Sequence, residues 1–330
     1  MPLTQVDQGL LGQYAQYTGF KNRIINGAMV IDQRNAGASV TPTNGQYTLD
    51  RWGCYAFGSA TSKYTVQQNA GSVTPPAGFR NYLGVTSTSA YSVAAGDITS
   101  VYQIIEGFNT ADLGFGTANA ATVTLSFWVR SSLTGTFGGA FKNNAINRSY
   151  PFTYTISSAN TWEQKSVTVA GDFYSATGAT SVIGTNGATL YITGVQLEKG
   201  ATATSFDYRP YGTELMLCQR YFVKWTGDSS ATGFPMVGTG NISAPTTAII
   251  FIPTPAALRT TPTVSFSGSV SINDAATQSN MTSIAQIYAA SGTGFWTILT
   301  ASGGAFTGGN GAIVFIQNAS TNSFSASSEL

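Results

Sequence analysis

The chain has 330 residues, long enough for two domains that each bury a core. Charged residues make up 9% of it and the net charge is +1, against roughly 25% charged residues in ordinary soluble domains. That balance gives no electrostatic footprint for DNA, RNA or an anionic membrane; solubility must rest on hydroxyl and amide surfaces and on oligomerisation.

Residues 1–19 place Leu10, Leu11, Tyr14 and Tyr17 at helix-like spacing, weakened by Gly9 and Gly12. They read as an attachment arm. They show no basic region followed by an apolar one, so a secretory signal is not expected. From residue 20 to 210 the pattern alternates with period two, as side chains do across a sheet. In Thr122 to Arg130, Val123, Leu125, Phe127 and Val129 point one way, and Thr124, Ser126 and Trp128 the other. Tyr150 to Ser157 alternates likewise, and Pro151 places that strand on an edge or at a strand start. Further strands are expected at Val101–Ile105, Glu163–Val169 and Thr189–Leu197, with turns at Gly135, Gly138, Gly139, Gly171, Gly178, Gly184 and Gly187. Many short strands with little helical periodicity predict an antiparallel β-sandwich.

Residues 211–223 read as a linker helix, capped by Thr213 and favoured by Glu214 at its positive end. Leu215, Cys218 and Phe222 share one face, an apolar band that needs cover from a neighbouring domain or from symmetry copies. Residues 224–330 are again all β, predicting a second C-terminal sandwich. One alternating run covers Thr263 to Ile272, and further strands fall at Ala248–Ile252, Phe295–Leu299 and Ala312–Gln317. After Lys224 only Asp228, Arg259, Asp274 and Glu329 carry charge. A surface so poor in charge fits a subunit-covered domain. The clusters Gly238 to Ser243 and Gly308 to Val314 lack the lysine and following helix of a phosphate loop and read as turns. AIIFIPTPAAL, the longest apolar candidate, is broken by Pro253 and Pro255, so no spanning helix is expected.

Two segments carry a resemblance. FKNRIINGAMVIDQRNAG (Phe20 to Gly37) with YTLDRWGCY (Tyr47 to Tyr55), and GVQLEKGATATSFDYRPYGTELMLCQRYF (Gly194 to Phe222), resemble the opening and the closing junction of a module in virion proteins of tailed bacteriophages, mostly tail-fibre or receptor-binding proteins. The resemblance spans about the first two-thirds of the chain. It implies a jelly-roll similar to carbohydrate-binding modules over 20–210, a trimeric C-terminal domain, contact with other virion proteins through the N-terminal arm, and host-surface attachment. It also implies a virion location with assembly in the host cytoplasm. Modules of this type often carry structural calcium, yet Asp97, Asp172 and Asp207 sit in no calcium loop, and solvation is the expected role of each. No other cofactor and no metal ligand set is expected.

Catalysis has little to work with. The chain contains no histidine, which removes the usual triads, the commonest general base and the usual zinc ligands. The fourteen carboxylates are scattered singly, and no segment nominates the pair a glycosidase needs. Cys54 and Cys218 read as buried free thiols. Saccharides stack their C–H faces on flat aromatics and pair hydroxyls with amides, weakly per site and strongly by valency. Trp128 on the polar side of its strand is one candidate platform; Trp225, Tyr288 and Trp296, with Phe295, form a second set. Trp52 and Trp162 are expected inside. The reading is a non-enzymatic adhesin, with a head-decorating or tail-adaptor protein and a polysaccharide depolymerase as alternatives.

Overall fold

The computed structural model describes residues 20–94, 96–145, 147–169, 181–229, 234–288, 292–303 and 305–330. The expected N-terminal arm, Asp172, Gly171 and Gly178 lie outside the described residues. The chain divides after Pro210 into two compact units, both built mainly of antiparallel strands.

The N-terminal unit contains β1 (Tyr47–Leu49), β2 (Trp52–Phe57), β3 (Tyr64–Gln68), β4 (Leu83–Ser87), β5 (Ile98–Tyr102), β6 (Val123–Ser131), β7 (Gly135–Lys142), β8 (Ser149–Ile156), β9 (Glu163–Val169) and β10 (Thr189–Lys199). A five-stranded sheet runs β3-β4-β10-β6-β9, with β10, the unit's last strand, at its centre. The sheet β1-β2-β5 and the hairpin β7-β8 contribute to the same core: Trp52, Cys54 and Ala56 from β2, Phe137 from β7 and Ile156 from β8 cluster with Tyr64, Leu83, Phe127, Val129 and Leu197. This is the expected sandwich.

Several local expectations need correction. β5 begins three residues earlier than Val101. Gly138 and Gly139 lie within β7 rather than in a turn, and the Phe152 ring occupies the space a side chain at Gly139 would need. Gly187, at φ +75°, does make a turn.

The segments at 20–37 and 194–209 are bound to one another. Asn22 accepts from the amides of Ile24 and Leu197 and donates to the Val195 carbonyl at 3.1 Å. Asp207 accepts from the amides of Lys21 and Asn22, and the Arg209 guanidinium donates to the Ile24 and Asn22 carbonyls. Asn26 clamps its own loop through the Ile31 amide and carbonyl and the Asp50 carbonyl, while the Trp52 indole N–H donates to the Asn26 carbonyl. The Asp50 carboxylate, 1% exposed, receives the amide and side chain of Gln33 at 2.7 Å each.

In the C-terminal unit, α1 (Tyr211–Gln219) precedes β11 (Phe222–Thr226), β12 (Met236–Ala244), β13 (Thr247–Pro253), β14 (Thr263–Ser267), β15 (Val270–Asn273), β16 (Gln278–Ile287), β17 (Gly294–Ala301), β18 (Gly311–Ile316) and β19 (Ser323–Ser327). Six of these close into a barrel, β12-β13-β17-β16-β15-β18, and three form a separate sheet, β11-β19-β14, with β19 at its centre. A closed barrel thus stands where a second sandwich was expected; closure removes the free edges that an uncharged sheet would expose. Ile250, Ile252, Val270, Ile272, Phe295, Leu299 and Val314 lie in the core of this unit.

The single strand expected from Thr263 to Ile272 is two. Gly268 takes a left-handed φ of +67°, and the chain passes there from the three-stranded sheet into the barrel. Gly238 and Gly240, expected in a turn, sit inside β12, where the carbonyls of Phe251 and Ile249 on β13 fill the space a side chain would take. Alpha helix α1 starts directly after Pro210, whose fixed φ suits a helix start, so Thr213 lies within it and is not its cap. Its buried positions are Glu214 and Cys218; Leu215 is half-buried and Phe222, buried, belongs to β11. The face expected to join Leu215, Cys218 and Phe222 on one helix is therefore not formed, because the helix ends at Gln219.

Burial pushes the Asp50 carboxyl up to about 6 against the pull of Arg34 and Gln33. Folded Asp50 then keeps a proton that the unfolded chain releases near pH 4, so lowering the pH through 6 favours the folded state. Glu163, Asp97 and Asp274 are held below the ordinary carboxylate range by hydrogen bonds, chiefly from Lys165, the Tyr91 hydroxyl and the Thr307 amide respectively; their opposite effect falls below pH 4. Urea unfolding at pH 5 is expected to show the N-terminal unit about 1 kcal/mol more stable than at pH 7. Asp50→Asn should flatten that difference, and a wild-type profile already flat between these values would contradict the assignment.

Candidate functional site

An exposed group of aromatic side chains lies on the outside of the barrel. Alternation along β13 and β17 turns Ile250, Ile252, Phe295 and Leu299 inward and leaves Phe251 and Trp296 outward. These two are directly opposite in the β13–β17 ladder, with ring centroids 5.2 Å apart. Tyr288, just past β16, extends the row: its amide donates to the Trp296 carbonyl at 2.9 Å. Trp296 is 45% exposed and Tyr288 42%. On the other side Thr239 of β12 stands opposite both Phe251 and Ile313 of β18. The row Ile313, Thr239, Phe251, Trp296, Tyr288 therefore crosses five neighbouring chain segments. At the usual strand spacing its length from Ile313 to Trp296 is roughly 15 Å.

Tyr288 and Trp296, chosen from the sequence, come together, and Phe251 joins them. The signal for Phe251 was present in the alternation of β13, but its partner strand could not be read from one sequence. Phe295 is buried, as expected for most of this set. Trp225 belongs elsewhere: it lies opposite Phe324 in the β11–β19 ladder, rings 6.0 Å apart, packed on the core. Leu215, Cys218 and Phe222 take no part in the row.

Trp128 lies on the outer face of the five-stranded sheet, half-buried, with Thr193 and Gln164 as its register neighbours. That face is largely covered by the unit's own chain. Gln196 and Glu198 of β10 accept the amides of Asp207 and Thr204, both at 2.8 Å, so the segment 200–209 closes over the strand. Trp162, expected inside, instead packs on this outer face against Tyr82 and Tyr191, and its indole N–H donates to the Thr74 carbonyl at 2.8 Å. The Arg130 guanidinium lies 5.5 Å from the centre of the Tyr191 ring. Trp52 does lie in the core.

Cys54 and Cys218 are buried and not joined in a disulfide. Burial pushes the Cys54 thiol up to about 11, which suppresses the thiolate. Asp32 and Asp50 are close enough for their charges to interact, but Asp32 accepts the amides of Asn35 and Gly37 and Asp50 is buried, so both serve the loop. Asp97 accepts the Tyr91 hydroxyl and the amides of Ala94 and Ser59. It and Asp207 tie backbone segments together instead of merely facing solvent. Among the described residues no group of three or more His, Cys, Asp or Glu side chains gathers as a metal site, and no helix is long and apolar enough to cross a membrane.

No protein-family model and no curated protein matches the chain. Among solved structures, the N-terminal CBM22-1–CBM22-2 tandem domain from Paenibacillus barcinonensis Xyn10C aligns over 91% of this chain and 100% of its own, at 10% identity and a TM-score of 0.27. A superposition that loose assigns neither topology nor ligand.

Because they stand outside the core, Trp296→Ala and Tyr288→Ala are each expected to change the stability of the unit by less than about 1 kcal/mol. Trp225→Ala, which opens a gap beside Phe324, is expected to cost about 2 kcal/mol. Equal losses in chemical denaturation would mean that the row is packing surface and not a platform.

Proposed function

We propose that this protein is a non-enzymatic adhesin that holds a neutral polysaccharide through its C-terminal barrel. The observation that carries the reading is the group Phe251, Trp296 and Tyr288: the first two rings meet across adjacent strands, Trp296 and Tyr288 are exposed, and no charged residue stands opposite them in the ladder. Such rings suit the C–H faces of pyranoses. Each contact of this kind is weak, so useful attachment needs several copies acting together.

The resemblance of the 20–55 and 194–222 segments to tailed-phage virion proteins supplies the setting. In that reading the N-terminal unit is a jelly-roll module, the assembly is a homotrimer, other virion proteins bind residues 1–19, and the barrel meets a host-surface glycan. The low charge of the barrel unit supports subunit contact in the same assembly.

Light scattering on a size-exclusion column is expected to give three times the 34.5 kDa chain mass. On immobilised host-surface polysaccharide the trimer should be retained, and Trp296→Ala should weaken retention at least about tenfold, since base or sugar stacking on one ring is worth on the order of 1 kcal/mol and is multiplied by three sites. A monomer whose retention is indifferent to Trp296 would move the protein to the class of decoration or adaptor components.

A further inference from the structure

On its outer face, where β15, β16 and β18 neighbour one another, the barrel carries a shallow, solvent-open and uncharged cleft of about 470 Å³, lined by Phe234, Ser269, Gln278, Asn280, Gln317 and Asn322 among others. Carboxamide side chains supply most of its polar lining, and each offers both donors and an acceptor.

The amides are oriented from below. Ser271, fully buried, accepts from the Gln317 side-chain nitrogen at 2.7 Å and donates to the Asn280 side-chain oxygen at 2.7 Å. Gln317 therefore spends a donor on Ser271 and keeps its oxygen as acceptor. Asn280 spends its oxygen and keeps its NH₂ as donor. The Asn322 amide nitrogen holds the Gln317 backbone carbonyl at 3.2 Å, anchoring the same corner. An acceptor next to a donor, both fixed through one buried hydroxyl, is the complement of two adjacent hydroxyl groups, one donating and one accepting.

A second, apolar groove of about 440 Å³ adjoins the cleft and shares Phe234 and Gln278 with it; Met236, Ile313 and Phe315 complete it. Phe234 is 48% exposed and stands edge-on to Phe315, centroids 5.5 Å apart. It forms the wall common to both. A pyranose laid on this ring would put hydroxyls toward the amides and a small apolar substituent over Met236 and Ile313. Among the described residues no charged side chain lines either compartment, so a phosphate, carboxylate or sulfate group would find no counter-charge there.

We propose that this composite cleft is a monosaccharide subsite for a neutral sugar bearing a methyl-terminated substituent, an acetamido or a 6-deoxy group. The proposal rests on the polysaccharide reading above and narrows its ligand. Ile313, which lines the groove, stands in register with Thr239 and through it with Phe251, but β18 and β17 lie three strands apart in the closed six-stranded ring, so the cleft is a site separate from the Phe251–Trp296 pair.

The test is saturation-transfer NMR on the full chain with four probes: the methyl glycosides of N-acetylglucosamine, rhamnose, glucose and glucuronic acid. N-acetylglucosamine and rhamnose are expected to bind, with strongest saturation at the acetamido methyl and the C6 methyl; glucose should bind several-fold more weakly and glucuronate not at all. Phe234→Ala should weaken binding about tenfold, equivalent to one lost ring contact. Asn280→Asp keeps an acceptor for Ser271, replaces the outward donor with an acceptor and adds one charge at an exposed position, so it should fold normally, as an unchanged circular-dichroism melt would confirm, and also weaken binding about tenfold. Glucuronate binding as well as the neutral sugars, or unchanged affinity in both variants, would overturn the proposal. Trp296→Ala separates the two levels. Loss of polysaccharide retention with no binding of any monosaccharide rejects the cleft and keeps the row. Binding of monosaccharides with retention indifferent to Trp296 rejects the row and keeps the cleft.

Discussion

The structure depends first on amide side chains doing inside the protein what ion pairs do elsewhere. With few charges available, the N-terminal unit closes through Asn22 and Asn26, both almost wholly buried. Asn22 binds the backbone of β10 and of its own loop, and Asn26 binds two carbonyls and one amide of the loops around it. Each such bond adds only about 1 kcal/mol net, yet leaving a buried partner unsatisfied costs more. The opening segment therefore has to lie against β10, and the placement of Trp52, Asp50 and the exit segment follows from it.

The same chemistry recurs in the barrel with a different outcome. There the buried hydroxyl of Ser271 orients Gln317 and Asn280 toward the outside. Neutral polar groups fix geometry without creating a long-range field. An uncharged surface of this kind discriminates ligands by hydroxyl pattern and shape, and rejects charge by offering nothing to meet it.

Much of the fold was legible from alternation alone. β6, β9, β13 and β18 fall within a residue or two of where the pattern puts them, because a sheet with one buried face imposes period two directly on the chain. The failures share a cause. Gly138, Gly139, Gly238 and Gly240 read as turns but lie in strands; at Gly139, Gly238 and Gly240 a facing ring or carbonyl comes too close for a side chain, a fact that belongs to the partner strand. Gly268 hides a change of sheet inside an unbroken alternation. At the site, Trp296 and Tyr288 were visible as residues, while Phe251, Phe234 and the amide cleft required the barrel's strand order. The resemblance segments were visible as wording; that they bind one another was not.

Both units place their last strand at the centre of a sheet, β10 between β4 and β6 and β19 between β11 and β14. A chain emerging from the ribosome can pair neighbouring strands early, but neither sheet can be completed until its closing strand has been made. Completion of each of these two sheets is thereby deferred to a single late insertion, and the partial sheets wait with two open edges apiece. A product truncated before residue 323 would hold a barrel's worth of strands next to β11 and β14 with nothing between them. Quality control of this protein is written into strand order: incomplete chains remain recognisably unfinished.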